Sequence, residues 1–267
     1  MTHETQADRL QVSHLDVGYN KRQILHDVTL SIPDGQITAL IGANGCGKST
    51  LLRTIGRVIA PLSGQILLDG KDIHHTPRKA VAKTLAMLPQ TPVAPDGLTV
   101  RQLCHFGRYP HRKLFSQSSQ DDEQIVEKAL HDAGLMEIAD RPIQNLSGGQ
   151  RQRAWIAMAL AQDTPLLLLD EPTTYLDIAH QIEILQLLRE LNQQKGTTIV
   201  MVVHDLNHAA QFADNIIAVA KGEIYQQGAP RELLTPELIQ AVFGIAAMVV
   251  PHPEDNSPLC LPLFKAI

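Results

Sequence analysis

One stretch constrains this chain more than any other: Gly42-Ala43-Asn44-Gly45-Cys46-Gly47-Lys48-Ser49-Thr50. It satisfies the spacing G-x-x-x-x-G-K-[ST]. The apolar run QITALIG (residues 36–42) precedes it and reads as a short strand. KSTLLRTIGRVI follows with Leu51, Leu52, Ile55 and Ile59 at helical spacing. A strand, a glycine-rich loop and a helix in that order are the context in which such a match is meaningful. The glycines let backbone N–H groups turn inward around phosphate oxygens. Lys48 adds a point charge for β- and γ-phosphates, and the Ser49 hydroxyl is a hard oxygen ligand suited to Mg2+. Cys46 fits the loop as a small residue. A helix N-terminus also lowers a nearby thiol's pKa, which would let a maleimide inhibit through Cys46 and let ATP protect.

The rest of the chain alternates strand and helix. Residues 10–19 and 24–32 alternate apolar and polar positions, as half-buried strands do. SGQILLDGKDI predicts another strand with a turn at Asp69-Gly70, and residues 84–90 a buried strand that stops at a polar residue. Residues 91–140 change texture, with Pro and Gly first and then helical segments at 100–107 and 121–133. Strand-like runs resume at 165–170, 197–203 and 215–220. This predicts an α/β fold with a mixed, mostly parallel sheet, an N-terminal antiparallel β subdomain and an inserted helical subdomain. The tail after Gly228 reads as short helices followed by Pro-rich extended segments.

Four leucines, Leu166 to Leu169, lead into Asp170 and Glu171. A buried strand delivers such carboxylates at its C-terminal end, where open α/β sheets bind ligands. Neighbours on a strand point to opposite faces, so Asp170 is the Mg2+-side group. Glu171 faces the γ-phosphate and orients or deprotonates the attacking water. His204 and Gln90 each end a core strand and form a candidate γ-phosphate sensor pair, with the Gln90 amide oxygen directed to Mg2+ or to the water. Asp205 begins the next helix as its cap. A second glycine pair, in NLSGGQRQRAW, opens a helix behind Ser147 with no lysine beside it. Helix N-termini of this kind bind phosphate.

Composition excludes other classes. The net charge is −5 with a pI near 6.2, so there is no basic excess to hold a nucleic acid. No apolar run approaches the roughly 18–20 residues of a membrane helix. The polar start MTHETQADRL lacks an apolar signal core. Cys46, Cys104 and Cys260 are far apart and odd in number, which predicts free thiols in a reducing cytosol.

GANGCGKST, Gln90, LSGGQ, LLLLDEP, YLD and His204 occur in that order. Together they resemble the ATP-binding cassette ATPases, over residues 9–228. The resemblance implies a core of residues 9–90 and 163–228, a helical subdomain of residues 91–162, and a separate tail, residues 229–267. It implies a head-to-tail dimer of two copies enclosing two ATP molecules with Mg2+. Each ATP would lie between the phosphate loop of one copy and Ser147, Gly148, Gly149 and Gln150 of the other. Tyr19 would stack on the adenine, and Asp177 would communicate across the dimer. Tyr175 departs from the small residue usual before the Leu-Asp pair.

EPTTYLDIAHQIEIL, GLTVRQLCHFGRYPH and TPELIQAVFGIAAMVV resemble the ATPases of bacterial importers for ferric siderophores, haem and cobalamin. The resemblance favours a ferric siderophore; the alternatives are a haem or cobalamin importer, or a non-transport cassette ATPase acting on DNA or ribosomes. It places the chain peripherally on the cytoplasmic face of the inner membrane. There it would dock on two permease subunits served by an extracytoplasmic binding protein. The segment after Gln90 through GRYPHRK would face the permease. Its Arg101, Arg108, Arg112 and Lys113 read equally as docking or as solvated surface. A cassette acting on DNA or ribosomes usually has two signatures or coiled-coil arms, and an exporter is often fused to membrane helices. This sequence shows neither pattern.

Overall fold

The computed structural model describes residues 8–20, 22–112 and 119–263. They form two compact units, one drawn from residues 1–75 and 198–267 and one from residues 76–197. The first unit opens with β1 (Asp8–Tyr19) and β2 (Arg22–Pro33), an antiparallel pair with Leu10 opposite Ile32 and Val17 opposite Leu25. The alternation seen in sequence buries Leu10, Val12, Leu15 and Val17. Next come β3 (Ile37–Ile41), buried at every residue, and α1 (Lys48–Ile55), which buries Leu51, Leu52 and Ile55. β4 (Ser63–Leu68) and β5 (Lys71–Asp72) complete an antiparallel sheet in the order β2-β1-β4-β5.

The second unit is the middle of the chain. It holds α2 (Arg78–Val81), β6 (Leu85–Leu88), α3 (Val100–Gly107), α4 (Gln120–Asp132), α5 (Gly148–Ala161), β7 (Leu166–Leu169) and α6 (Ile178–Lys195). β6 and β7 are parallel, with Leu85 opposite Leu166 and Leu88 opposite Leu169. α3 starts with a reciprocal capping box between Thr99 and Gln102, and α4 with one between Ser119 and Asp122. Each box satisfies two backbone donors that a helix start otherwise leaves open.

Asp122 does more than cap. Its Oδ1 accepts a 2.8 Å hydrogen bond from Arg108 Nε, and the two side chains are 9% and 6% exposed. Arg108 also donates to the Ala161 carbonyl at 2.9 Å, at the end of α5. The next residue, Gln162, donates through Nε2 to the Ala82 and Leu85 carbonyls at 2.7 and 2.9 Å. Its own carbonyl lies 2.8 Å from His111 Nε2. Arg108 is therefore neither a docking residue nor a solvated one. It is a buried structural cation at the negative end of α5. Arg101 meets Glu123 at 3.0 Å, Arg112 lies 3.4 Å from His105 Nδ1, and Lys113 lies outside the described residues.

The chain returns to the first unit with β8 (Thr198–Val202), α7 (Leu206–Phe212), β9 (Asn215–Ala220) and β10 (Glu223–Gly228). β8 and β9 lie parallel on either side of β3, and β10 runs antiparallel to β9. The five residues of β8 are all buried, as is Asn215 through Val219 of β9. The tail adds α8 (Pro230–Leu233), α9 (Pro236–Phe243) and the antiparallel pair β11 (Ala247–Pro251) and β12 (Pro258–Pro262). Among the described residues no helix is long and apolar enough to cross a membrane.

Burial raises the Asp122 carboxyl's pKa, but the hydrogen bonds from Arg108 and Ser119 and the guanidinium charge outweigh it, leaving the net value below 3.8. Removing one partner of a buried pair costs about 3–5 kcal/mol. Arg108→Met should therefore lower the urea-derived unfolding free energy at pH 7 by about 3 kcal/mol. A group with a depressed folded pKa contributes stability above its unfolded pKa and loses it as pH falls through the folded value. The gap between the variant and the parent chain should accordingly narrow below pH 3.8.

Candidate functional site

In the first unit, the glycine-rich loop leaves β3 and turns into α1. Gly42 sits at φ 150°, and a Cβ built on it would lie 2.2 Å from the Val219 carbonyl oxygen, so only glycine fits. The loop folds back on itself through Cys46 N–H to the Ala43 carbonyl at 3.2 Å. Lys48 Nζ donates to the Gly42 and Ala43 carbonyls at 2.8 and 3.2 Å and lies 4.0 Å from Cys46 Sγ. Lys48 is 5% exposed. The described residues of its own unit place no carboxylate in contact with it. A buried ammonium held only by neutral groups is a site for an anion.

The start of α1 points the same way. Its N-cap, Gly47 at φ 112°, supplies no side-chain hydrogen bond. α3, α4, α5, α6, α7 and α9 are each capped by a side chain: Thr99, Ser119, Ser147, Asp177, Asp205 and Thr235. No side chain of Gly47 occupies the start of α1, where the helix dipole favours negative charge. These residues fit a nucleotide's phosphates. Asn44 and Gly45 are exposed, Ala43, Ser49 and Thr50 are half-buried, and the Thr50 carbonyl accepts from Thr54 Oγ1 at 2.8 Å. Cys46 is 7% exposed beneath the lysine, so a thiol reagent reaches it only by opening the loop. Tyr19 ends β1 opposite Arg22, 43% exposed. His204 follows β8 and is exposed. Asp205 then caps α7, accepting from Asn207 N–H at 2.7 Å and His208 N–H at 3.1 Å.

The second unit brings Gln90 and Glu171 together. β7 ends at Leu169, and Asp170, 1% exposed, continues the ladder through its N–H to the Leu88 carbonyl at 2.9 Å. Glu171 then leaves the strand at φ 55°. Pleat alternation therefore does not separate the two carboxylates, as the sequence pattern suggested; the left-handed residue does. Glu171 Oε2 accepts from Gln90 Nε2 at 2.6 Å and from Thr174 Oγ1 at 2.9 Å. Thr174 was not singled out in sequence, although it lies one turn beyond the acid.

Ser147 is the N-cap of α5. Its Oγ accepts from Gln150 N–H at 3.3 Å, and Gln150 Oε1 accepts from Ser147 N–H at 3.2 Å. The cap uses an oxygen lone pair and not the hydroxyl proton, which stays available to an acceptor. Gly148 lies 3.9 Å from Leu176, measured from an added Cβ. A Cβ on Gly149 would meet the His180 ring at 2.3 Å. That ring is fixed by a 2.7 Å contact between His180 Nδ1 and Asp177 Oδ1. The His180 N–H, then its ring, hold the Asp177 carboxyl below its ordinary value. Asp177 thus caps α6 and braces the start of α5. Sequence reading missed His180, whose signal is its place three residues after a capping Asp. Tyr175 is 92% exposed at φ 65°.

Among the described residues no group of three or more His, Cys, Asp and Glu side chains is placed to hold a metal by itself. Ser49 in the first unit and Asp170 in the second are each a hard oxygen donor of the kind Mg2+ accepts.

The family model described as ABC transporter matches residues 25–174. The chain is 53% identical over 252 residues to the iron(3+)-hydroxamate import ATP-binding protein of Bacillus subtilis (strain 168), covering 94% of each. It is 49% identical over 257 residues to the ferric enterobactin transport ATP-binding protein of Escherichia coli (strain K12), covering 96% of this chain and 95% of that one. A bacterial ABC transporter cassette solved as a dimer superposes with a TM-score of 0.73 at 29% identity, over 82% of this chain and 98% of the other.

Alanine ordinarily favours a helix over glycine by about 1 kcal/mol. At Gly149 the His180 ring reverses the sign. Gly149→Ala should lower the unfolding free energy by about 1–3 kcal/mol, the usual range for overpacking. In a His180→Ala background the same change should be neutral or stabilising, as read by thermal unfolding of the four chains of the cycle.

Proposed function

The chain belongs to the ABC transporter family, and on that premise we propose that it is the ATP-hydrolysing subunit of an import system for a ferric siderophore or a similar iron chelate. The observation that carries the ATP site is the buried Lys48 ammonium, held by the Gly42 and Ala43 carbonyls with no carboxylate in contact from its own unit. The iron-chelate cargo rests on the two relatives, both named for iron-chelate uptake. By the same reading the chain sits peripherally on the cytoplasmic face of the inner membrane. It docks on two permease subunits that an extracytoplasmic binding protein supplies.

The loop from Gly42 to Thr50 holds the triphosphate, with Lys48 against the β- and γ-phosphates and Tyr19 against the adenine. Bound Mg2+, held by Ser49, Asp170 and the Gln90 amide oxygen, would neutralise charge between the β- and γ-phosphates. Glu171 takes a proton from water as the water oxygen bonds to the γ-phosphorus and the bond to the β-phosphate oxygen breaks. The donors Gln90 and Thr174 on Oε2 support this role, since they fix the carboxylate's direction. His204 orients the γ-phosphate or the water.

Ser147, Gly148, Gly149 and Gln150 of a second copy close on the same γ-phosphate. Their helix start carries no lysine and keeps a hydroxyl proton to donate, which suits a phosphate whose cation is supplied elsewhere. The dimeric cassette is consistent with that arrangement. Closure and release then follow the presence of one phosphoryl group touching both copies.

Glu171→Gln should bind ATP, hydrolyse it on the order of 10²–10⁴-fold more slowly, and accumulate as an ATP-bound dimer in size-exclusion chromatography. Normal turnover would remove Glu171 from the role. Lys48→Ala should lose nucleotide affinity in the monomer. Ser147→Arg should keep it while losing ATP-driven dimerisation. A strain lacking this chain should fail to grow with a ferric siderophore as its iron source, and unimpaired growth would overturn the cargo.

A further inference from the structure

Contacts on both sides of His204 hold the main chain that carries it. Upstream, Val203 N–H donates to the Leu40 carbonyl at 3.2 Å, which joins the end of β8 to β3. Downstream, Asp205 caps α7, a helix of seven residues. A helix so short does not hold its own first turn without tertiary support.

Part of that support comes from β3, and part from the C-terminal tail. Asn207 Nδ2 donates to the Cys260 carbonyl at 3.3 Å, and Cys260 N–H donates to Asn207 Oδ1 at 2.7 Å. A side-chain amide thus pairs with a peptide group of β12 as a neighbouring strand would. The Cys260 N–H faces Asn207 and not its ladder partner, Val249 of β11. Cys260 is 5% exposed, and burial, aided by the Asp205 charge, pushes its thiol up to about 11. The thiol therefore stays protonated beside Asp205, and no second charge disturbs the cap.

We propose that Asn207 is a positioning residue for ATP hydrolysis: by clasping the Cys260 peptide it anchors the first turn of α7, and through Asp205 it fixes the main chain that presents His204. The tail hairpin, β11 with β12, is then the downstream anchor of the γ-phosphate-sensing histidine. The inference rests on the role given to His204 above.

The experiment measures steady-state ATP hydrolysis by the full chain in four forms: parent, Asn207→Ala, His204→Ala and the double variant. Thermal unfolding confirms that each is folded. Asn207→Ala should lower kcat on the order of tenfold, the scale of a small misplacement of a reacting group, with the KM for ATP within about twofold because the phosphate loop is untouched. In the His204→Ala background, Asn207→Ala should cost nothing further. An equal loss of kcat in both backgrounds would show a structural effect that bypasses His204 and overturn the proposal, as would an unchanged kcat in Asn207→Ala while His204→Ala is slow. If His204→Ala itself turns over normally, the role of His204 fails first, and the clasp loses its purpose with it. Cys260→Pro removes the shorter of the clasp's two hydrogen bonds from the other side by deleting the N–H donor. It should match the Asn207→Ala kinetics, and parent-like kinetics in a folded Cys260→Pro chain would count against the clasp.

Discussion

A buried ammonium that meets only neutral groups carries a charge that the loop around it does not neutralise. Among the described residues of its own unit, Lys48 meets the Gly42 and Ala43 carbonyls and the Cys46 sulfur and no carboxylate, and much of that unit serves to keep it there. Gly42 approaches the Val219 carbonyl too closely for any side chain. The turn after β9 returns a hydrogen bond from Gly222 N–H to the Cys46 carbonyl at 3.1 Å. β3, buried at all five residues between β8 and β9, sets the point where the loop departs. The loop is thus braced on both sides by its own unit, and in the proposed reading a phosphate would supply the missing counter-charge.

The second unit handles its charges in the opposite manner. Arg108 and Asp122 neutralise each other inside it. Asp177 is met by His180, and Glu171 accepts from Gln90 and Thr174.

Local order was legible in the sequence because it is written locally. Alternation gave β1 and β2, the four leucines gave β7, and the glycine-lysine spacing gave the loop with its flanking strand and helix. What was hidden depends on residues far apart in the chain. Arg108 lies among exposed-looking Arg and His residues, and nothing near it reveals that Asp122 waits across fourteen positions. Asn207 and Cys260 are separated by fifty-three. The departure of Glu171 from the strand was hidden for another reason: a non-glycine residue at positive φ carries no composition signal, so a strand pattern was extended one residue too far.

α5 has the signature glycines at one end and Gln162 at the other, where that residue's amide grips the Ala82 and Leu85 carbonyls. Leu85 begins β6, the strand that runs toward Gln90. A helix of fourteen residues is a rod about 21 Å long, at 1.5 Å per residue, and it bends little. Any tilt imposed on Ser147 is therefore delivered, as a lever delivers it, to the root of the strand that leads to Gln90.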